Sequence, residues 1–259
     1  YNDYKWYNFT STRVNVSGNS MTNGDATVTA LQSTNNLTYM GKWGEHALTA
    51  TGVWEVSSNE VRKMQMTGTR IAHEPLGYWN SQDAASKNPT NGYSKWTMLS
   101  GVARVMYNYA DRYMLTGTFR ADGSSRFTNK KWGYFPSVAG AWTVSNEKFW
   151  EPIRNAVEYM KIRASWGIIG NQNITPYSTL ASLNATSFNY GTNTNYTGYW
   201  AGGIATPDLT WEKVKQLDFG IDLGFLGNRL SVGIDYFSKK TTDALLQQSS
   251  TGYLGGVTY

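Results

Sequence analysis

The chain has no cysteine among its 259 residues. Disulfide scaffolds, zinc–thiolate sites and thiol catalysis are therefore excluded. Histidine is almost as scarce, with only His46 and His73 in the whole sequence. One falls at a predicted short turn and the other on a predicted long loop, so His73-Glu74 is better explained as a solvated loop pair than as a metal site. We expect no metal, no cofactor and no catalytic residue in this chain.

Long apolar runs are missing as well. The sequence contains no stretch of 18 consecutive apolar residues, which excludes a transmembrane helix. Nothing near Tyr1 resembles the basic start and apolar core of a signal peptide. A transmembrane β-barrel is not excluded by these absences, because its strands are only half apolar and average to a polar composition.

Concentrated charge of one sign is absent too. The net charge of +5 comes from 23 basic and 18 acidic residues that are spread along the chain. Basic runs do not exceed two residues, as in Lys130-Lys131 and Lys239-Lys240. Nucleic-acid binding requires a concentrated basic patch. We therefore expect no nucleic-acid partner.

Apolar and polar residues alternate strictly in this sequence, most clearly between Arg112 and Trp142. One face of its first segment carries Leu115 and Phe119, while the opposite face carries Arg120 and Asp122. A period of two is typical of β-strands, whose successive side chains point to opposite sides of a sheet. Apolar residues on one side, charges on the other and aromatic residues at the ends indicate a strand between lipid and a watery lumen. The aromatic content of 15%, with 11 Trp and 18 Tyr, fits the two aromatic girdles of a barrel wall.

The same pattern predicts an all-β antiparallel meander of about nine strands, forming part of a large transmembrane β-barrel that this chain does not close. Short links are predicted at 44–45, 110–111, 146–157 and 227–228, the third of them as a short helix. Longer links are predicted at 17–25, 67–93, 123–133 and 170–210. Alternation of short and long links is expected for an outer-membrane barrel, whose periplasmic turns are short and whose external loops are long.

Five sequence blocks resemble the barrel of the SusC/RagA family of TonB-dependent outer-membrane transporters. They are YMLTGTFRADGSSRF at 113–127, WGYFPS at 132–137, KIRASWGIIGNQN at 161–173, PDLTWE at 207–212 and FGIDLGFLGNRL at 219–230. They follow one another in the family order with family-like spacing. A weaker match from about Asn36 to Glu55 extends the resemblance over most of the chain.

This resemblance implies a barrel of about 22 strands, of which nine would be an internal piece without the plug domain and the terminal strands. It further implies a protein of a Bacteroidetes-type outer membrane that imports a glycan or an oligopeptide. The implied partners are a SusD-like surface lipoprotein acting as a lid, outer-membrane lipid, and the TonB complex through segments absent from residues 1–259. No enzymatic activity is implied.

Aromatic residues on the polar predicted loops are the candidate binding residues. Their rings can stack on sugar C–H faces, and neighbouring Asn and Asp can bond to hydroxyls. Packing of loop against loop, or against a partner protein, explains them equally well. The candidates for substrate or partner binding are Tyr78, Trp79, Tyr93, Tyr196, Tyr199 and Trp200.

Carboxylates on the predicted lumenal side allow other interpretations. Asp218, Asp222 and Asp235 can form an acid/base pair or a calcium site, but a wet barrel interior normally carries such charges. Arg120 and Arg126 are expected to pair with Asp122 nearby. A surface or secreted carbohydrate-binding β-sandwich is the main alternative, and a β-rich glycoside hydrolase lacks a positioned carboxylate pair. The apolar face of the strands distinguishes the sandwich from the barrel, because a sandwich buries this face against a second sheet and a barrel exposes it.

Overall fold

The computed structural model describes residues 2–8, 19–71, 79, 81–189, 191, 195–227 and 229–246. Within these ranges, no helix is long and apolar enough to cross a membrane. Eleven strands account for most of the described residues. Their bounds are β1 Asn2–Asn8, β2 Ser20–Trp43, β3 His46–Ile71, β4 Ala84–Tyr109, β5 Tyr113–Ser124, β6 Trp132–Thr143, β7 Tyr159–Asn171, β8 Ser182–Asn189, β9 Asn195–Gly203, β10 Glu212–Phe225 and β11 Leu230–Thr242.

Nine of these strands form one sheet in the order β1-β2-β3-β4-β5-β6-β7-β10-β11, while β8 and β9 form a separate hairpin. Every pairing with a recorded register is antiparallel. The predicted meander of nine strands with nearest-neighbour connections is confirmed, and the sheet is not closed.

The register places apolar residues of successive strands in common rows. Ile221 lies opposite Ile162 of β7 and Ile234 of β11, and Ile162 lies opposite Trp142 of β6. Directly opposed residues share one face of a sheet. This apolar face is exposed, with Leu115 54% accessible to solvent. Also exposed on it are Phe119, Trp166, Phe219, Ile221, Leu230 and Val232.

The chain divides into two compact units, one of residues 1–32 and 57–97 and the other of residues 33–56 and 98–259. The first unit has a small core of Met21, Ile71 and Ala84, against which Met66 packs. The side-chain amide of Asn19 donates to the Ile71 carbonyl at 2.8 Å and accepts from the Ile71 N–H. This pair of hydrogen bonds ties the start of β2 to the end of β3.

Two short links in the second unit are tight turns, as predicted. Gly44 has φ +60° in the two-residue link between β2 and β3, a conformation that glycine adopts without steric cost. Ala110 and Asp111 also have positive φ, at 54° and 53°. The Asn108 side chain donates to the Asp111 carboxylate at 2.6 Å, which offsets part of the backbone strain in this turn.

Several strands extend into the segments that were predicted as long links. The link predicted at 17–25 is wrong from Ser20 onward, because Ser20–Asp25 pair with β1. The link predicted at 67–93 is likewise too long, since β3 continues to Ile71 and β4 begins at Ala84. The added segments are rich in Asn, Thr and Ser, so they show no apolar alternation by which sequence reasoning finds strands.

Two further links differ from the prediction. The short helix predicted at 146–157 is present but of the 3-10 type: the chain forms two 3-10 helices, Val144–Asn146 and Lys148–Ile153, with Glu147 extended between them. Pro152 lies inside the second turn and lacks the N–H that a longer helix needs. The link predicted at 170–210 contains the β8–β9 hairpin. Asn228 of the last predicted turn lies outside the described residues, as does the tail from 247.

Aromatic side chains form a row at the short-link end of the second unit. The ring centroids of His46 and Tyr109 are 4.7 Å apart, those of Tyr109 and Tyr113 6.4 Å, and those of Tyr113 and Trp142 6.2 Å. The Tyr113 hydroxyl donates to Glu147 at 2.6 Å, and the Trp142 indole N–H donates to the same carboxylate oxygen at 3.2 Å. The row matches the predicted aromatic end of the strands.

The carboxylate of Glu147 anchors this row electrostatically. The hydrogen bond from Tyr113 is the main cause that lowers the pKa of Glu147, and Trp142 and Arg112 add to it while burial opposes it. A lowered pKa means that the ionised form stabilises the fold above the ordinary pKa of a glutamate. That contribution is lost as the pH falls through the lowered value.

Candidate functional site

The face of the sheet opposite the apolar one carries a charged network in β7, β10 and β11. The Arg163 guanidinium donates to both carboxylate oxygens of Asp222, at 2.8 and 3.0 Å, and to Asp235 at 3.0 Å. Bidentate pairing of this kind is strong and geometrically specific. Asp222 and Asp235 are thus held by a cation rather than arranged as an acid/base pair. The described residues contain no group of three or more His, Cys, Asp or Glu suited to a metal ion.

A second ion pair lies on the same polar face in β5. Arg120 donates to Asp122 at 2.7 Å and to the Ser100 hydroxyl at 3.2 Å, as the sequence predicts for Arg120 and Asp122. The prediction for Arg126 is wrong. Its guanidinium donates to the backbone carbonyl of Ile174 at 2.9 Å, and burial lowers the pKa of Arg126.

A buried aromatic cluster underlies the loops of the second unit. Phe127, Phe135 and Trp211 are 0%, 6% and 3% exposed, and the Trp211 ring lies 5.3 Å from Phe127 and 5.4 Å from Phe135. Ile168 keeps the phase of Trp166 in the register with β10, and it packs against this cluster. The Phe135 ring occupies the space that a Cβ at position 170 would fill, and only glycine permits this approach.

Three loops meet above this cluster and bond to one another; we call residues 125–131, 172–181 and 204–211 the loop platform. The Thr128 and Thr179 hydroxyls are 2.8 Å apart. The backbone N–H of Asn129 donates to the Pro207 carbonyl at 3.1 Å, and that of Thr206 donates to the Thr179 carbonyl at 3.0 Å. The blocks at 113–127 and 207–212, noted only for their resemblance, therefore meet in space through Phe127 and Trp211.

The β8–β9 hairpin follows from the platform and carries three of the predicted aromatic residues. Tyr196 lies opposite Phe188, Trp200 opposite Asn184 and Tyr199 opposite Ala185. Because side chains alternate along a strand, Phe188, Tyr196 and Trp200 share one face, and Tyr199 lies on the other. We call the first the three-ring face. Its members are 48%, 56% and 44% exposed, in that order.

The remaining predicted binding residues belong to the other unit. Trp79 is 70% exposed and lies just before the 3-10 turn Ser81–Asp83. Tyr93 is exposed, but its expected position on a loop is wrong, because it lies within β4. Tyr78 falls outside the described residues. The structure therefore brings Tyr196 and Trp200 together and assigns Trp79 and Tyr93 to the first unit.

The family model described as "TonB dependent receptor-like, beta-barrel" matches residues 1–259. Among curated relatives, TonB-dependent receptor P3 of Formosa agariphila is 33% identical over 225 residues, which cover 86% of this chain and 22% of the relative. TonB-dependent receptor SusC of Bacteroides thetaiotaomicron is 35% identical over 167 residues, covering 63% of this chain and 17% of the relative. The chain thus spans about a fifth of the length of these relatives.

Solved structures show the same fold. The structure of the RagAB peptide transporter superposes with a TM-score of 0.77 at 22% identity, covering 93% of this chain and 26% of that one. The RagAB peptide importer in its "open-open" state gives a TM-score of 0.77 at 25% identity, covering 92% of this chain and 26% of that one.

Proposed function

Because this chain belongs to the TonB-dependent receptor-like β-barrel family, we propose that it supplies barrel wall and external loops to an outer-membrane transporter that imports nutrients. The observation that carries this proposal is the two-faced sheet. One face exposes Leu115, Phe219 and Ile221 to its surroundings, and the other holds the Arg163–Asp222–Asp235 network. Such a sheet suits a wall between lipid and water.

The proposed cargo is a glycan or an oligopeptide, and the proposed partners are a SusD-like surface lipoprotein and the TonB complex. The relative named SusC and the neighbours named as peptide transporter and peptide importer support this class of activity. The proposed location is the bacterial outer membrane, which is where this family of receptors resides.

A carbohydrate-binding β-sandwich fits the structure less well. In a sandwich the apolar face packs against a second sheet, whereas Leu115 and Leu230 are about half exposed here. A glycoside hydrolase is not supported either, because Asp222 and Asp235 both accept from Arg163. The named relatives are receptors and transporters.

Uptake by cells tests the proposal. A strain expressing the full-length transporter should accumulate labelled oligopeptide or oligosaccharide, and accumulation should stop when TonB is inactivated. Uptake that is the same in a strain lacking the transporter would contradict the proposal, as would uptake that persists without TonB.

The three-ring face predicts a specific loss of binding. Replacing Tyr196 and Trp200 together by Ala in the full-length transporter should weaken binding of substrate or lipoprotein about tenfold or more, since stacking contributes about 1 kcal/mol per ring. Tyr199→Ala, on the opposite face of the hairpin, is the matched control and should have a smaller effect. Titration calorimetry measures affinity, and heat-modifiable gel mobility confirms barrel assembly. Unchanged affinity for both ligands would assign these rings to loop packing.

A further inference from the structure

Three lysines of β10 and β11 lie on the exposed apolar face of the sheet, at the end where the long links are. Lys215 lies directly opposite Lys240, and Lys213 lies opposite Thr242. Residues an even number of positions apart share one face of a strand. Lys213 and Lys215 are therefore on the same side as Ile221, which belongs to the apolar face. We call Lys213, Lys215 and Lys240 the outer lysine cluster.

The outer lysine cluster begins where the apolar positions of β10 end. These positions run from Phe225 to Leu217, which is about 27 Å at about 3.4 Å per residue. This length is close to the apolar band of about 25 Å on the outside of a transmembrane barrel. Trp166 lies opposite Leu217, and tryptophan is enriched at membrane interfaces. Lys215 is the next residue on this face, so it falls at the level of the lipid headgroups.

The three side chains are close enough together to hold one anion. In an antiparallel pair, the Cβ atoms of directly opposed residues lie about 5 Å apart and diagonal neighbours about 7–8 Å apart. Lys215 and Lys240 are directly opposed, and Lys213 and Lys240 are diagonal neighbours. Lysine carries its charge on a flexible four-carbon stem. The ammonium groups can therefore converge on a single phosphate.

The charge of the cluster is not neutralised by the part of the chain that the structure describes. None of its three lysines takes part in an ion pair there, and neither does Asp243, one residue beyond β11. Glu212 lies in the opposite phase and accepts from the Asn171 amide at 3.2 Å and from the Leu245 N–H at 3.1 Å. Like charges directly opposite one another destabilise a sheet. An external anion would remove this repulsion.

We infer that the outer lysine cluster binds the phosphate of an outer-leaflet lipid whose acyl chains lie along the apolar face of β10. The lysines continue directly into Leu217 and Phe219 on the same face, so a ligand with an anionic head and apolar chains contacts both. A soluble anion or an acidic protein would match only the charge. This inference rests on the proposed membrane wall, and it makes one class of lipid a specific ligand of the chain.

Lipids that differ only in their phosphate test the inference. The probe is lipid A, added to the purified full-length transporter in an uncharged detergent and compared with the same lipid after its phosphate has been removed. Native mass spectrometry identifies the bound lipid, and a titration gives the affinity. We expect the phosphorylated lipid to bind at least tenfold more tightly. Inorganic phosphate should not displace it, because phosphate alone makes no contact with the apolar face.

Two adjacent lysines provide a matched pair of variants. Lys240→Gln removes one charge from the cluster and should weaken binding of the phosphorylated lipid about tenfold, while binding of the phosphate-free lipid stays unchanged. Lys239→Gln removes the same charge from the neighbouring residue, which lies opposite Gln216 on the polar face, and should change neither affinity. Heat-modifiable gel mobility confirms that both variants assemble.

Stability in the presence and absence of lipid gives a second readout. Without lipid, Lys240→Gln should leave the unfolding midpoint unchanged or raise it, because the substitution relieves the repulsion with Lys215. Phosphorylated lipid should raise the midpoint of the wild-type transporter, since a ligand stabilises the folded state that binds it. The rise should be smaller in Lys240→Gln and undiminished in Lys239→Gln.

Several outcomes would overturn the inference. Equal affinity of the wild-type transporter for the two lipids would do so, as would equal losses in Lys239→Gln and Lys240→Gln. Displacement of the lipid by inorganic phosphate, or binding of an acidic surface protein to the lysines without lipid, would assign another occupant. TonB-dependent uptake without a preference for phosphorylated lipid would refute the lipid site and leave the proposed function intact. Phosphate-dependent lipid binding without TonB-dependent uptake would support the site and refute the transport function.

Discussion

Replacing Ile221 by arginine is expected to destabilise the barrel folded in a bilayer by about 2–4 kcal/mol. This is the cost of a charge on the lipid side of a barrel near the bilayer midplane. Ile221 lies at the centre of the apolar positions of β10, in one row with Ile162 and Ile234. A guanidinium at this position would have to be transferred from water into the hydrocarbon of the bilayer, which is unfavourable.

Gly233→Arg is the matched control for this prediction. Gly233 lies opposite Asp222 on the polar face, and a Cβ there would lie 3.7 Å from an Asp222 carboxylate oxygen. The added guanidinium would remain in water beside an acidic group, so the cost should be about 1 kcal/mol or less. Asp222 itself is a poor control, because its replacement would break the pair with Arg163. Denaturant titration of the full-length protein in lipid vesicles measures both, and equal costs would contradict the two-faced sheet.

Trp211→Ala is expected to cost about 3–5 kcal/mol, the usual range for truncating a buried tryptophan. Trp211 is 3% exposed, packs on Phe127 and Phe135, and donates its indole N–H to the Lys131 carbonyl at 3.0 Å. The substitution therefore creates a cavity and removes a hydrogen bond that joins the segment just before β10 to the β5–β6 loop.

Trp132→Ala serves as the control, because Trp132 is 49% exposed and should lose much less stability. Denaturant unfolding gives the two values, and limited proteolysis reports on the loops themselves. In Trp211→Ala, cleavage within the loop platform should accelerate while the strands stay protected. A loss below about 1 kcal/mol, with unchanged cleavage, would show that the cluster does not hold the platform.

Strands that cross the expected bilayer were predictable from sequence because lipid and water impose opposite demands on alternate residues. In β10, Leu217, Phe219 and Ile221 alternate with Gln216 and Asp218, and the sheet places them on opposite faces as expected. Residues 84–94 of β4 lacked this signal, because apolar residues do not alternate with polar ones in this Asn-, Pro- and Thr-containing segment. The β8–β9 hairpin was missed for the same reason.

Contacts between segments distant in sequence could not be predicted from the alternation of apolar and polar residues. Ile168 continues the apolar phase of Trp166, yet it packs against the buried aromatic cluster where Gly170 lets the Phe135 ring approach. Arg126 was expected to pair with Asp122, and its guanidinium donates to the loop carbonyl of Ile174. The residues that lie side by side across the polar face depend on the registers of successive strand pairs, and sequence leaves each register open by one or more residues.

The placement of β10 between lipid and water is tested most directly by single cysteines at each position from 216 to 222. The absence of native cysteine in this chain makes the scan simple in a full-length transporter without other thiols. Spin labels at Leu217, Phe219 and Ile221 should relax faster with lipid-soluble oxygen, and those at Gln216, Asp218, Gly220 and Asp222 with a water-soluble nickel chelate. Accessibility without this period of two, or with the phase reversed, would contradict the assignment of the chain as a membrane wall.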